Sequence, residues 1–187
     1  MINDFYFTDF PRLETERLVL REATIEDATS LQSIRKNPVV MEFMDTFYHN
    51  SLEVSKNFIA YNLENYINKK VIYWMLEEKA SGNIIGDFSF FKIDSKHHRA
   101  EIGYTLDPKY WGKRYMKEAM VRLISFCFKN FNLHSFEANI NPQNNKSKGI
   151  LLKLGFQKEA YFKENFSYND EYLDSEIYCL LEKNFIT

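Results

Sequence analysis

Residues 106–120 read LDPKYWGKRYMKEAM, and in this stretch a single glycine followed by two cations leads from a strand into a helix. A strand ends at Leu106, Asp107-Pro108 breaks it, and a helix begins after Arg114. The start of a helix exposes up to four backbone N–H groups and the positive end of the helix dipole, so an anion binds there readily. The phosphate-loop pattern GxxxxGKS/T and the dinucleotide pattern GxGxxG are both absent. Taken alone, the stretch favours a solvated helix start over an anion site.

The strand that leads into this loop has two distinct faces. Residues 99–106 alternate between apolar side chains and small or polar ones, as a strand with one buried face does. We expect the other face to leave room for a ligand beside Glu101, although a solvent-exposed carboxylate is an equally simple interpretation. The apolar face would carry Ala100, Ile102, Tyr104 and Leu106, and the other face Glu101, Gly103 and Thr105.

Hydrophobic periodicity predicts further strands and helices along the rest of the chain. We expect an α/β (α+β) fold, with a mixed, twisted central sheet of about seven strands flanked by about four helices, formed by a single domain over residues 1–187. Residues 39–50 are ambiguous. The predicted strands are residues 16–22, 71–78, 84–92, 99–106, 134–140, 156–166 and 171–181, and the predicted helices are residues 24–36, 51–68, 115–130 and 146–154.

Composition narrows the function classes. The 187 residues carry a net charge of −2, which argues against a general nucleic-acid binder. Cys127 and Cys179 lie in apolar runs without CxxC spacing, so we expect buried thiols and no metal site. The N-terminus lacks the pattern of a signal peptide, and no apolar run approaches the ~20 residues of a membrane span. We therefore expect a cytoplasmic protein that binds neither nucleic acid nor membrane.

A second polar motif follows the next strand. Residues 141–156 read NPQNNKSKGILLKLGF, which predicts an amphipathic helix closed by Gly155. Asn144 and Ser147 are three residues apart at its first turn, so they share one side of the helix. Both residue types also cap helices well, and, taken alone, capping is the preferred interpretation.

Together, these motifs resemble the GNAT superfamily of acetyltransferases, and more narrowly its branch of ribosomal-protein alanine N-acetyltransferases. The resemblance rests on RAEIGYTLDPKYWGKRYMKEAM, residues 99–120, followed by residues 141–156. The opening LETERLVLREATIEDA, residues 13–28, and the tyrosine-rich ending FSYNDEYLDSEIYCLL, residues 166–181, are similar to the same branch. The resemblance covers roughly residues 13–182, and it implies a GNAT-like fold and acetyl-CoA-dependent transfer to an amine.

The resemblance implies cofactor-binding roles for two neighbouring segments. In that family the loop binds the pyrophosphate of acetyl-CoA through backbone N–H groups, and the end of the preceding strand contacts the pantetheine arm like an added strand. A freed N–H there would also polarise the thioester carbonyl. Small residues are usual at the positions of Arg114 and Met116, and the Arg114 guanidinium would pair with a phosphate instead. The implied contacts are Tyr104, Thr105 and Leu106 for the arm, and Trp111, Gly112, Lys113, Arg114, Tyr115 and Met116 for the pyrophosphate.

The same resemblance implies catalytic roles. Asn144 would touch the cofactor arm, and the hydroxyl of Ser147 would donate to the departing thiolate. Glu101 matches a glutamate that acts as the base in some members, and Glu137 is the second choice. A base is needed because the attacking amine must be neutral, while a lysine amine has a reference pKa of ~10.4 and an α-amine ~8. Transfer would be direct, in a ternary complex, without a covalent enzyme intermediate.

The acceptor stays open at this stage. A protein N-terminus, a polyamine, an amino sugar and an antibiotic amine all fit, and a homodimer is an open option. Residues 158–183 carry seven acidic and three basic residues, which would attract a cationic amine if this hairpin lines the cleft. The alternative is a catalytically weak GNAT-fold module that binds acyl-CoA or a protein partner, and it is suggested by Arg114 and Met116.

Overall fold

The structure is a computed structural model that describes residues 7–44 and 46–187. Within these residues lie eight strands and five α-helices. The strands are β1 (Leu13–Glu14), β2 (Leu18–Glu22), β3 (Ile72–Glu78), β4 (Ile84–Asp94), β5 (Arg99–Leu106), β6 (Ser135–Ile140), β7 (Gln157–Tyr168) and β8 (Glu171–Leu181). The helices are α1 (Ala28–Arg35), α2 (Pro38–Met41), α3 (Leu52–Ile67), α4 (Tyr115–Phe131) and α5 (Asn145–Lys153).

All eight strands belong to one sheet with the order β1-β2-β3-β4-β5-β6-β8-β7. Neighbouring strands are antiparallel except for β5 and β6, which are parallel and are connected through α4. A parallel pair needs such a crossover, because the chain must return to the same end of the sheet. The parallel pair therefore lies in the middle of the sheet, with the loop of residues 107–114 at its end.

The two faces of the sheet are covered by different helices. Helices α4 and α5 cover one face, where Ile102 of β5 is buried with Met120 and Leu123 of α4. On the opposite face, Leu31 of α1 and Ile59 of α3 are buried in a smaller cluster. Full burial of one apolar side chain stabilises the folded state by roughly 1.5–3 kcal/mol. Because β5 and α4 are both packed in this way, the two ends of the loop of residues 107–114 are held in place. The predicted apolar face of β5 is confirmed, since Ala100, Ile102 and Leu106 belong to the larger cluster and the partly buried Tyr104 packs against it.

The seven predicted strands and four predicted helices are present, with the small shifts at their ends that are usual for such bounds. Two elements were not predicted. Strand β1 has only two residues, too few to show a period. Helix α2 lies at the start of the ambiguous region, where Asn37 accepts a hydrogen bond from the Val39 N–H and Pro38 is the first helical residue. Residues 1–6, expected to carry no signal peptide, lie outside the described residues, and the single-domain organisation stays a prediction.

Candidate active site

A gap opens between the two parallel strands in the middle of the sheet. Strands β5 and β6 pair only at three positions, which join Arg99–Glu101 to Ser135–Glu137. Strand β5 continues to Leu106 and β6 to Ile140 without further pairing to each other within the described residues. The last pair, Glu101 with Glu137, therefore marks the closed end of the gap, and the loop of residues 107–114 lies at its open end.

Backbone groups of β5 line this gap. The Asp107 N–H donates to the Ile85 carbonyl of the β4 side at 2.8 Å. Because antiparallel strands alternate between bonded and outward-facing residues, the N–H and C=O groups of Tyr104 and Leu106 point away from β4, into the gap. The Leu106 carbonyl accepts the indole N–H of Trp111 at 2.8 Å. The N–H of Leu106 and both backbone groups of Tyr104 are placed to bind an extended ligand as a strand would.

The loop at the open end presents backbone N–H groups. Gly112 has a φ of 74° and is exposed, and a Cβ atom at this position would meet nothing within 4 Å. Arg114 precedes α4 in the left-handed conformation, with a φ of 65°, and no described side chain caps the helix. The Met116 side chain is 3% exposed and faces the core, so only its backbone is available. The Trp111 N–H is already used, since it donates to the Pro108 carbonyl at 3.1 Å. The backbone N–H groups of residues 112–116 are therefore the donors suited to an anion.

Two residues that the sequence reasoning missed hold this loop in place. Arg17 donates to the Glu118 carboxylate at 2.7 Å and to the Lys113 carbonyl at 3.1 Å. Its guanidinium carbon lies 4.0 Å from the centre of the Tyr115 ring. Although burial opposes it, hydrogen bonds from Thr15 and Arg17 lower the pKa of Glu118, so this carboxylate stays ionised. The available signal was an acidic residue in the first turn of a helix, which is too common to single out.

Loop residues also contact β3 and α5. Tyr110 and Tyr115 donate to the Glu78 carboxylate. The Lys146 ammonium lies 3.8 Å from the centre of the Trp111 ring, which connects the loop to the first turn of α5. Lys113 and Arg114 remain exposed and contribute positive charge at the surface. Contacts to β3 and α5 thus hold the loop in place, while Gly112 stays exposed.

Tyr104 and Ser147 meet across the gap. The Tyr104 hydroxyl lies 2.6 Å from the Ser147 hydroxyl, and the Tyr104 ring stacks on Phe88 with centres 6.1 Å apart. Burial raises the pKa of Tyr104 to about 12, although the hydrogen bond with Ser147 opposes this, so the phenol stays protonated at neutral pH. Asn144 accepts the Ser147 N–H at 3.0 Å and caps α5, which leaves its amide N–H₂ group for another partner. One of the two O–H groups is used in this bond, so the pair offers one hydroxyl donor to a ligand in the gap.

Glu101 and Glu137 stand side by side at the closed end of the gap. Glu101 is only 8% exposed, and it accepts a hydrogen bond from the Lys92 ammonium at 2.6 Å. The Glu137 carboxylate accepts a hydrogen bond from the Arg99 guanidinium. The expected open space beside Glu101 is thus taken by a lysine, because the sequence could not show which side chain β4 would direct toward the carboxylate.

The Thr105 side chain lies on the face of the sheet that α1 and α3 cover. Its hydroxyl donates to the buried Asp87 carboxylate, which in turn pairs with Arg35 of α1 at 2.8 Å. Its backbone belongs to the residues that bond to β4. The structure therefore does not bring Thr105 to the gap, but uses it to fix β5.

A buried histidine lies near the Arg35–Asp87 pair. Burial and the charge of Arg35 lower the pKa of His49 to about 4, and its ring nitrogen lies 2.9 Å from the Ser55 hydroxyl.

Several carboxylates of the acidic β7–β8 hairpin form ion pairs or hydrogen bonds with other groups of the protein. Glu176 pairs with Lys158 at 2.6 Å and with Lys148 of α5 at 3.1 Å. Asp174 accepts hydrogen bonds from the Tyr161 hydroxyl and the Glu164 N–H. The formal charge of the hairpin therefore overstates its attraction for a cationic amine.

Two further searches concern residues 7–44 and 46–187 only. Three or more His, Cys, Asp or Glu side chains do not come together anywhere in these ranges as a metal site would require. In the same ranges, no helix has the length and apolar character needed to cross a membrane.

Comparison with known proteins identifies the family. Residues 17–157 match the acetyltransferase (GNAT) domain model. The chain is 31% identical to the uncharacterized N-acetyltransferase YoaA of Bacillus subtilis, over 92% of this chain and 98% of that protein. It is 29% identical to the ribosomal protein uS5 alanine N-acetyltransferase of Escherichia coli, over 58% of this chain and 56% of that protein.

Solved structures show the same fold. The ribosomal-protein-S5-alanine acetyltransferase of Vibrio fischeri superposes with a TM-score of 0.82 at 25% identity, over 95% of this chain and all of that chain. The microcin C7 self-immunity acetyltransferase MccE, solved with acetyl-CoA and AMP, superposes with a TM-score of 0.80 at 23% identity, over 89% of this chain and 93% of that chain. The chain therefore belongs to the GNAT family of acetyltransferases, enzymes that transfer an acyl group to an amine.

Proposed function

We propose that this protein is a cytoplasmic, acetyl-CoA-dependent N-acetyltransferase that acetylates a primary amine, either a protein N-terminus or a small-molecule amine, by direct transfer in a ternary complex. The observation that carries the proposal is the gap between β5 and β6, whose closed end is at Glu101 and whose open end is at the loop around Gly112. Cys127 and Cys179 are free thiols, as a reducing compartment would leave them.

The residues around the gap fit acetyl-CoA. The backbone of Tyr104 and Leu106 is free to pair with the amide groups of a pantetheine arm, and the first turn of α4 accepts a pyrophosphate. Asn144 has an amide N–H₂ group left for the arm. Bound there, acetyl-CoA would supply an activated acetyl thioester. MccE, which shares the fold, was solved with acetyl-CoA, and this supports the same ligand here.

The protein groups have distinct proposed roles. Glu101 takes the proton from the attacking amine, directly or through water, and Glu137 is the second choice because it lies beside Glu101 in register. One hydroxyl of the Tyr104–Ser147 pair donates to the departing sulfur, while the other O–H donates within the pair. Neither cysteine is proposed as a nucleophile, since burial raises the pKa of Cys127 well above its ordinary value and the pKa of Cys179 to about 12.

An amine panel tests this function. The protein is incubated with acetyl-CoA and a set of peptides with free N-termini, polyamines, amino sugars and amino acid amides, and free thiol and product mass are recorded. We expect thiol release that depends on at least one amine. The Glu101→Gln variant should lower kcat about 10²-fold or more, as loss of a general base does, whereas Glu53→Gln on the exposed face of α3 should not. If acetyl-CoA binds and no amine is turned over, the catalytic function is refuted.

The second candidate is a weakly catalytic module that binds acyl-CoA or a protein partner. It is favoured by Arg114, which stands in a left-handed conformation that glycine adopts at lower cost. Calorimetry with acetyl-CoA separates the two. Binding without turnover on any amine supports a sensing module, and absence of binding supports a role in binding a protein partner.

A further inference from the structure

The proposed base already holds an amine. The Lys92 ammonium lies 2.6 Å from one carboxylate oxygen of Glu101. The Glu101 side chain is 10% exposed, whereas that of Lys92 is 69% exposed. The ammonium thus reaches a nearly buried carboxylate from the solvent side, as an incoming substrate amine would have to do.

An irregularity in β4 sets up this contact. The register between β4 and β5 shifts between Phe91 and Asp94, and Lys92 itself has a φ of 48°. Such bulges redirect a side chain, and they cost free energy when a non-glycine residue adopts a positive φ. Lys92 is therefore directed at Glu101 by the backbone, and its flexible four-carbon stem lets the amine move about that position.

The contact lies at the closed end of the gap. The loop that would hold the pyrophosphate lies at the open end, so the acetyl end of bound acetyl-CoA would point toward Glu101. Glu101 is the last residue of β5 that pairs with β6, while Tyr104 and Ser147 meet three residues further along. Three residues of a strand span about 10 Å. Because side chains alternate along a strand, Glu101 borders the gap from the face that α1 and α3 cover, and Tyr104 borders it from the face that α5 covers. Under the proposed function, the thioester lies in the gap between these two faces, where the amine that Glu101 holds can reach it.

We propose that Lys92 is a self-acetylation site, modified by acetyl-CoA bound to the same chain when no other amine displaces it from Glu101. This inference rests on the proposed function. The Lys92 ammonium gives one proton to Glu101 or, through water, to solvent; the neutral Nζ then attacks the thioester carbonyl. A C–N bond forms and the C–S bond breaks. The nitrogen loses its second proton, which passes through water to the departing sulfur, so that CoA leaves as the thiol. The product is N-acetyl-lysine, which has lost the charge that paired with Glu101.

Neighbouring cations do not share this geometry. Arg99 pairs with Glu137, but a guanidinium is not deprotonated in proteins and does not act as an acyl acceptor here. Lys148 and Lys158 pair with Glu176, on the face of the sheet that carries α5. Lys96 is exposed, lies four residues from Lys92, and serves as the matched control.

The test uses the full chain and acetyl-CoA with no added amine. Intact mass and peptide mapping follow the acetylation of each lysine over time at several protein concentrations. We expect one acetyl group per chain at Lys92, with a half-time independent of protein concentration. The variant Lys92→Arg should lose this product, Lys96→Arg should keep it, and Glu101→Gln should slow it about 10²-fold. Circular dichroism establishes that each variant is folded.

Four results would overturn the inference. Lys92 could acquire acetyl groups no faster than Lys96, which would indicate uncatalysed chemistry. The half-time could shorten in proportion to protein concentration, which would indicate transfer between chains. Glu101→Gln could leave the rate unchanged. Acetyl-CoA could bind in calorimetry while Lys92 stays unmodified, which would refute this inference alone, whereas absence of binding would refute the proposed function with it.

Discussion

Replacing Tyr104 with phenylalanine removes one hydroxyl from the gap and leaves the ring in place. The ring stacked on Phe88 is retained, so the backbone of β5 should not move. The lost hydrogen bond to Ser147 is 2.6 Å long, and such bonds contribute about 0.5–1.5 kcal/mol net. Because Ser147 is itself only 7% exposed and loses its partner, we expect the free energy of unfolding to fall by about 1–2 kcal/mol. For a domain of this size, that lowers Tm by roughly 2–8 °C.

The catalytic effect should exceed the effect on stability. If the Tyr104–Ser147 pair donates to the departing sulfur, Tyr104→Phe lowers kcat about 10²-fold, within the range for general acid catalysis, while KM for acetyl-CoA changes by less than about threefold. The pH profile carries a second signature. With a pKa of about 12, the Tyr104 phenol is only about 0.1% ionised at pH 9, whereas an ordinary tyrosine would be about 10% ionised.

The assay is steady-state thiol release by wild type and variants between pH 6 and about 10. Tyr178→Phe is the matched control, since it removes a buried hydroxyl that bonds to Glu176 at 3.1 Å, both on β8, which does not border the gap. It should cost similar stability and leave kcat unchanged. An unchanged kcat in Tyr104→Phe would refute the donor role. A loss of activity near pH 10 in wild type that disappears in Tyr104→Phe would refute the raised pKa.

Three further predictions concern the loop and the buried polar groups. Arg114→Gly should weaken acetyl-CoA binding about two- to fivefold in calorimetry, because an exposed charge is lost, and should change stability by less than about 1 kcal/mol; tighter binding would mean that Arg114 obstructs the ligand. His49→Gln should flatten the pH dependence of stability. Because the pKa of His49 is about 4 in the folded state and about 6.5 in the unfolded state, the free energy of unfolding of the wild type falls by about 3 kcal/mol as pH falls from about 6.5 to 4. Urea unfolding at several pH values checks this, with the exposed His134→Gln as the control. Asp87→Ala should cost about 3–5 kcal/mol in the same assay, because it leaves Arg35 buried without its partner; a loss below about 1 kcal/mol would contradict this.

Local periodicity was enough to predict most of the fold. The alternation of residues 99–106 and the helical stripe after Tyr115 each reflect burial on one face, so they could be read without tertiary information. The two-residue strand β1 and the one-turn helix α2 are too short for a period and depend on neighbours or a cap. Their omission follows from the length of the pattern.

The sequence was enough to propose positions for the candidate site, but it could not show the contacts of those residues. Taken alone, Gly112, Asn144 and Ser147 each fitted an ordinary structural role at a helix start. Only the order of the motifs, which resembles the GNAT superfamily, singled them out. Long-range side-chain partners leave no local pattern. The Lys92–Glu101 pair depends on a bulge, and the bond between Arg17 and Glu118 joins residues 101 positions apart. Sequence reasoning therefore missed the residues that hold the site together.

The central claim is that the gap between β5 and β6 and the loop at its end hold acetyl-CoA. Hydrogen exchange of backbone amides, measured residue by residue with and without acetyl-CoA, tests it most directly. The account predicts slower exchange at Tyr104 and Leu106 of β5 and at residues 112–116, because these N–H groups would bind the pantetheine arm and the pyrophosphate. Unchanged exchange at these amides under saturating acetyl-CoA, or protection confined to other parts of the chain, would contradict it.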